Sequence, residues 1–158
     1  MKSKFLSALI ALSLLAIGPS VYAKDMIDFT LSSADGNTFT LSEVVKERPV
    51  LVVFFATWCP PCQHEVPELI KLQDKDQASG LKILAVDVDE SKETAANFIR
   101  SKGINYTVLL DEGGRAANQY GVEGIPTNIL IARGGEVKYE GHSIPENIDD
   151  ILSNPAGN

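Results

Sequence analysis

The chain contains two cysteines, Cys59 and Cys62, and two prolines separate them. Thiols at this spacing can close a small disulfide ring and open it again, which is the chemistry of thiol–disulfide exchange. A disulfide that stabilises a fold usually closes a long loop, because closing a long loop removes more entropy from the unfolded chain. The short ring between Cys59 and Cys62 therefore favours a redox role over a structural one.

The cysteine pair lies between a predicted strand and a predicted helix. The apolar run Val50–Phe55 has the composition of a buried strand, and a helical pattern with an apolar stripe follows from about residue 61 to residue 77. Cys59 then stands where the helix begins, so backbone N–H groups and the positive end of the helix dipole stabilise its thiolate. Cys62 lies one turn inside and is shielded. We therefore predict Cys59 as the nucleophile and Cys62 as the resolving cysteine.

Strand and helix patterns alternate along the rest of the chain, which at 158 residues has room for one domain with a proper core. Strands are predicted at residues 29–31, 39–41, 50–55, 81–87, 106–110, 127–132 and 137–140, and helices at residues 61–77, 91–102, 114–120 and 145–152. This order predicts an α/β fold with a mixed central sheet and helices on both faces. In such sheets the functional site lies at the carboxyl ends of the strands, which is where Cys59 follows its strand.

The first 23 residues have the pattern of a secretory signal peptide. A basic start precedes an uncharged run, and the small residues near Ala23 predict cleavage after it. An uncleaved membrane anchor is the alternative, since residues 5–23 carry no charge and approach the roughly 20 residues that a membrane helix needs. Both interpretations place the predicted domain, residues 24–158, in the periplasm or another extracytoplasmic compartment.

The charge balance argues against one class of partner. Lysine and arginine number 14 against 21 aspartates and glutamates, which gives a formal net charge of -7 at pH 7. No cluster of basic residues is suited to follow a nucleic-acid backbone. Nucleic acid is therefore not predicted as a partner.

Two motifs together resemble a known family. Val52–Cys62 reads VVFFATWCPPC, and Gly121–Thr127 reads GVEGIPT. The pair closely resembles the thioredoxin fold and, more narrowly, the extracytoplasmic thiol–disulfide oxidoreductases of the TlpA/ResA type. The resemblance spans nearly all of residues 24–158, with an N-terminal hairpin and an extra strand and helix at residues 81–102. It implies protein thiols and disulfides as substrates, a membrane electron donor of the thiol-reducing type, and no cofactor.

The resemblance also implies a substrate-binding loop at Ile125 and Pro126. The Ile125–Pro126 peptide bond is expected to be cis, with the proline packed against the dithiol and the Ile125 backbone free to pair with an extended substrate. A proline at the first position of a strand, where the sheet tolerates it, is the alternative interpretation. Trp58 is predicted to form a wall of the site and shield the sulfur, with core packing as its alternative.

Glu65 is a further candidate for the site. It lies three residues after Cys62, and in ResA-like reductases a glutamate at this spacing is linked to tuning the cysteine pKa values. A solvated carboxylate favoured by the helix dipole is the alternative. Val53 stands where cytoplasmic thioredoxins carry a buried aspartate, six residues before the first cysteine. This departure makes Glu65 the leading candidate for the acid–base group.

The direction of electron flow is predicted from the residues between the cysteines. Strong oxidants stabilise their reduced form, whereas Pro60 and Pro61 offer neither charge nor hydrogen-bond donor for this purpose. We therefore predict a reductase of protein disulfides, and the resemblance implies apocytochrome c before haem attachment as one substrate. A disulfide oxidase or isomerase is the alternative within this class.

A copper-binding chaperone is the alternative of another class. Cys59, Cys62, His64 and His142 include the soft ligands that Cu(I) prefers. Copper chaperones of related folds, however, resemble a C-x-x-x-C pattern, which is one residue longer than the spacing here. A zinc site needs a second pair of ligands that the sequence lacks, so no metal is predicted.

Overall fold

The computed structural model describes residues 24–75 and 80–153. In chain order its elements are β1 (Thr30–Ser33), β2 (Thr38–Thr40), α1 (Leu41–Glu47), β3 (Val50–Phe55), α2 (Pro60–Lys75), β4 (Lys82–Val88), α3 (Lys92–Lys102), β5 (Thr107–Asp111), α4 (Arg115–Tyr120), β6 (Thr127–Ile131), β7 (Val137–Gly141) and α5 (Ile148–Ser153). The predicted leader, residues 1–23, and the predicted helix end at Gln77 lie outside the described residues. Within those residues no helix is long and apolar enough to cross a membrane.

The strands form one mixed sheet in the order β2-β1-β5-β4-β3-β6-β7. β3, β4 and β5 are parallel neighbours, while β6 and β7 on one side and β1 and β2 on the other pair antiparallel. All six residues of β3 are buried, because helices cover both faces of the sheet at its centre. The α/β architecture that the sequence predicted is confirmed.

Side chains of alternate strand residues enter two separate hydrophobic clusters. On one face Val53 of β3 belongs to a cluster that includes Cys62 of α2 and Phe98 of α3. On the other face Phe54 belongs to a cluster that includes Leu41 of α1 and residues of α4. The helix that carries the dithiol is therefore held against the sheet by its own buried side chains.

Helix α1 is the main difference from the sequence prediction. The predicted strand at residues 39–41 ends at Thr40, and Leu41–Glu47 is helical. Leu41 and Val45 are the buried residues of this helix, and their spacing of four places them on one face. A helix of seven residues shows only one such pair, and its two adjacent valines are weak helix formers, so the pattern did not indicate a helix.

The other predicted elements are present, with ends shifted by one to three residues. The predicted cap of α3 is confirmed: the Ser91 hydroxyl accepts a hydrogen bond from the Thr94 N–H at 3.2 Å. Gly103 ends this helix with a φ of 65°, in the left-handed region where glycine costs little. These local signals position the strand and helix that flank the site.

Candidate active site

Cys59 and Cys62 are joined by a disulfide at the start of α2, with 5.3 Å between their Cα atoms. Strand β3 ends at Phe55, shortly before Cys59, and Cys62 lies in the first turn of the helix. Its backbone N–H has no intrahelical partner and donates to the Cys59 sulfur at 3.2 Å. Once the disulfide opens, this hydrogen bond and the helix dipole favour a thiolate at Cys59.

Both cysteines are covered to the same extent in the disulfide form. Cys59 is 3% exposed and Cys62 is 4% exposed, and both belong to the cluster beneath α2. The shielding predicted for Cys62 is present, but it does not distinguish the two residues. Their different roles stay a prediction that rests on position along the helix.

The loop before β6 lies against the dithiol. The Ile125–Pro126 peptide bond is cis, as the family resemblance implied, and Pro126 is buried. The carbonyl oxygen of Ile125 is 3.7 Å from the Cys59 sulfur. Among the described residues no partner is seen for the Ile125 N–H. An extended chain laid beside this loop therefore meets a free backbone donor next to the reactive sulfur.

Glu65 is held by a residue that the sequence pattern did not single out. The Asn128 side-chain amide, on β6, donates to both carboxylate oxygens of Glu65, at 3.1 and 3.2 Å. Burial raises the pKa of Glu65 and the Glu68 carboxylate adds to the rise, while hydrogen bonds from Asn128 and Ile144 oppose it. The alternative of a freely solvated carboxylate is therefore wrong. The available signal for Asn128 was its amide side chain in a strand, β6, whose three following residues are apolar.

His142 is exposed, and its imidazole contacts the cis-proline loop. Its Nδ1 lies 2.9 Å from the carbonyl oxygen of Pro126. Since a carbonyl only accepts, Nδ1 carries the proton in this hydrogen bond. His64, two residues after Cys62, is exposed. In the described part of the chain no three histidine, cysteine or acidic side chains are grouped to hold a metal ion.

Trp58 is 69% exposed, so core packing is the wrong interpretation of this residue. It lines a cleft of about 350 Å³ beside the dithiol. Val88, Val122 and Ile125 add apolar walls to the cleft, and Asp89 and Glu123 add acidic ones. The walls of the cleft therefore combine apolar and acidic side chains, and the exposed indole of Trp58 extends the cleft toward solvent.

The turn that leads to Cys59 is fixed by Glu90. The Thr57 backbone N–H and hydroxyl donate to the two oxygens of the Glu90 carboxylate, at 2.5 and 2.6 Å. From the other side the Gln63 side-chain amide donates to the Thr57 carbonyl at 2.7 Å. Two charge-assisted hydrogen bonds on one residue hold this turn in a defined position. Sequence spacing gave no sign of this contact, which joins residues 33 positions apart.

Comparison with known proteins agrees with this arrangement. Residues 22–140 match the AhpC/TSA family. The chain is 31% identical over 131 residues to the thiol-disulfide oxidoreductase ResA of Bacillus thuringiensis subsp. konkukian. The aligned residues cover 82% of this chain and 75% of the relative. It is also 31% identical over 144 residues to ResA of Geobacillus thermodenitrificans, covering 84% of this chain and 82% of the relative.

A solved structure extends the likeness to three dimensions. The thiol:disulfide interchange protein of the thioredoxin family from Chlorobium tepidum TLS superposes with a TM-score of 0.72 at 29% sequence identity. The superposition covers 84% of this chain and 96% of that one. The chain thus belongs to the AhpC/TSA family and is a thiol–disulfide oxidoreductase with a thioredoxin-like fold.

Proposed function

We propose that this oxidoreductase reduces disulfides of proteins outside the cytoplasm. The Cys59 thiolate attacks one sulfur of the substrate disulfide, which forms a mixed disulfide and releases the other substrate sulfur as a thiol. The Cys62 thiolate then attacks the Cys59 sulfur and releases the second substrate thiol. Two electrons pass to the substrate, and the Cys59–Cys62 disulfide remains.

One observation carries this proposal: the Cys59 sulfur lies between the Cys62 N–H and the Ile125 carbonyl, at 3.2 and 3.7 Å. The N–H donor favours the attacking thiolate, and the Ile125 loop offers backbone groups to an extended substrate. In this proposal Pro126 shapes the loop, and Trp58 forms a wall of the site and shields the sulfur from water.

The reducing direction is supported by the residues between the cysteines, which add nothing to the thiolate stabilisation that the Cys62 N–H and the helix dipole provide. The residues between the cysteines are Pro60 and Pro61, which supply no positive charge and no N–H. Glu65 lies one helical turn after Cys62, and a negative charge there disfavours a second negative charge on sulfur. A dithiol whose thiolate is weakly stabilised gives up electrons more readily.

The cleft beside Trp58 supports a substrate segment with apolar and basic residues. Its apolar walls favour an apolar side chain next to the substrate cysteine, and Asp89 and Glu123 favour a lysine or arginine near it. Apocytochrome c before haem attachment is the substrate that we propose on the likeness to the ResA relatives.

The proposed location follows from the first 23 residues, whose pattern is that of a signal peptide or an anchor. In an oxidising compartment the dithiol requires a supply of electrons, which we assign to a membrane donor of the thiol-reducing type. Fractionation of cells and N-terminal sequencing of the recovered protein test this assignment. Recovery only in the cytoplasm would overturn it.

The reduction potential of Cys59–Cys62, measured by equilibration against a dithiol buffer, tests the direction. A reductase is expected near or below the range of glutaredoxin- and thioredoxin-like couples, about −230 to −270 mV. A value above about −180 mV would instead indicate an oxidase or isomerase and would remove the cytochrome-maturation proposal.

A further inference from the structure

Asp87 is a buried acid that the exchange mechanism described so far does not use. It lies on β4 and is 0% exposed. In the sheet register its neighbours are Phe55 on β3 and Leu110 on β5, neither of which carries a charge or a polar side chain. Among the described residues no N–H group or hydroxyl donates to either of its carboxyl oxygens. A carboxyl group in such surroundings is costly to ionise.

Glu90 is the charged group that faces Asp87. Burial is the largest cause that raises the pKa of Asp87, to about 8, and the Glu90 carboxylate adds to the rise. Burial also works to raise the pKa of Glu90, but its interactions with Asp87 and Thr57 outweigh this and lower the pKa overall. A side-chain hydrogen bond between the two carboxyl groups contributes to both shifts, so each group sets the charge of the other. At neutral pH Asp87 holds the proton and Glu90 is ionised.

The ionised Glu90 is the group that accepts both hydrogen bonds from Thr57. Thr57 is two residues before Cys59, and Trp58 stands between them. A proton on Asp87 thus leaves one negative charge in the pair, and that charge is directed at Thr57. Loss of the proton places two negative charges side by side, and no cation of the described residues contributes to the pKa of Asp87. Lys92 and Glu93, the first charged residues of α3, are exposed.

We propose that Asp87 and Glu90 act as a proton-sharing pair of positioning residues, which hold the Cys59 turn in place through Thr57. When the pair loses its proton, repulsion moves Glu90 away from Thr57, and the turn with Trp58 and Cys59 shifts. The pair therefore makes the reactivity of Cys59 depend on pH by a route other than titration of the thiol. The inference rests on the proposed role of Cys59 as the attacking sulfur.

Trp58 allows the turn to be observed directly. It is the only tryptophan of the sequence, and it follows Thr57 immediately. In the oxidised protein the cysteines carry no titratable proton, so a change of Trp58 emission with pH reports the turn and not the thiols. The measurement needs no partner protein. It can therefore succeed even if the direction or the substrate of the proposed function is wrong.

The test is a titration of Trp58 emission in the oxidised full-length protein, from about pH 6 to about pH 10. The wild type is expected to show a transition with a midpoint of about 8. Asp87→Asn fills the same space without a titrating proton, and it should abolish the transition. Glu90→Gln removes the charge that ionised Asp87 would repel, so it should abolish the transition as well.

Glu93→Gln is the matched control, because it makes the same chemical change at an exposed site three residues further along the chain. It should leave the wild-type transition unchanged. A merely structural role for Asp87 predicts altered stability but a transition that persists in Glu90→Gln. An identical transition in wild type and Asp87→Asn, or a wild type with no transition, would overturn the proposal.

A kinetic measurement extends the test to the sulfur. The rate at which a small dithiol reduces the Cys59–Cys62 disulfide is compared between Asp87→Asn and wild type at each pH. The reagent titrates identically in both reactions, so its ionisation cancels in the ratio. The ratio should change by about 5- to 30-fold across the transition, the rate equivalent of one to two hydrogen bonds. A ratio that stays constant with pH would mean that the pair does not act on Cys59.

Discussion

Val53 and Asn128 lie directly opposite each other on β3 and β6, and the side-chain amide of Asn128 donates hydrogen bonds to the Glu65 carboxylate. Val53 is the position at which cytoplasmic thioredoxins carry a buried aspartate. Here the sheet supplies a neutral amide from the neighbouring strand instead, and the acid comes from α2. The carboxylate of α2 is therefore half-buried and held by an amide of the sheet.

Glu65→Gln is expected to shift the thiol titration of the reduced protein to lower pH, because it removes a negative charge one helical turn from Cys62. The reduced form is then better stabilised, and the reduction potential should rise by about 10–30 mV, up to a tenfold change in the equilibrium constant. Thiolate absorbance and equilibration against a dithiol buffer measure the two quantities. Glu68→Gln, one turn further from the dithiol, is the control and should give the smaller shift.

Cys62→Ser is expected to trap the mixed disulfide, since Cys59 can still attack but no second thiol resolves the product. Cys59→Ser should not form this adduct, because Cys62 lies inside the first turn of the helix, whereas Cys59 lies at its start. Non-reducing electrophoresis with a disulfide-containing protein substrate, followed by mass spectrometry, measures the adduct. Equal trapping by both variants would show that position on the helix does not assign the roles.

The parts of the site that the sequence predicted are those within one local segment. Val50–Phe55, the cysteine pair and the helix that follows are adjacent in the chain, so their pattern contains most of the information about their arrangement. The contact between Asn128 and Glu65 spans 63 residues and depends on the register of β6 against β3. A single sequence does not specify that register, and a lone polar residue in a strand indicates no partner.

The interaction between Asp87 and Glu90 could not be predicted from the sequence for a different physical reason. Asp87 and Glu90 stand at the end of an apolar strand, where acidic residues are common in solvated turns and cap positions. Only the structure shows that Asp87 is covered on all sides while Glu90 turns back to Thr57. Helix α1 was missed because its single pair of buried residues also fits the end of a strand.

His142→Ala is expected to weaken binding of protein substrates, because it removes the hydrogen bond that the imidazole donates to the Pro126 carbonyl. Loss of one such bond corresponds to an increase in KM of about fivefold, with little change in the reduction potential. Steady-state kinetics with a protein disulfide measures the effect. His64→Ala, an exposed histidine on α2, is the matched control and should leave KM unchanged. Equal effects of both substitutions would exclude a specific role of His142 in the loop.

Asp87 should also govern how the stability of the fold depends on pH. The folded protein keeps the Asp87 proton up to about pH 8, whereas the unfolded chain releases it near 3.8. Between these values the folded state binds more protons, so the free energy of unfolding falls as pH rises through this window. Glu65, whose pKa is also raised by burial, adds a slope of the same sign just above its ordinary value of 4.5.

Asp87→Asn removes the larger of these contributions, because the amide binds no titrating proton in either state. Its free energy of unfolding, measured by urea denaturation of the oxidised protein, should fall less with pH than that of the wild type and exceed it most near pH 8. The gap should narrow as the pH falls below 3.8, where the wild-type carboxyl is protonated in both states and its penalty disappears. Parallel curves for the two proteins would mean that Asp87 is ionised in the folded state at neutral pH. In that case the Asp87–Glu90 pair would carry two charges, and its hold on Thr57 could not depend on a shared proton.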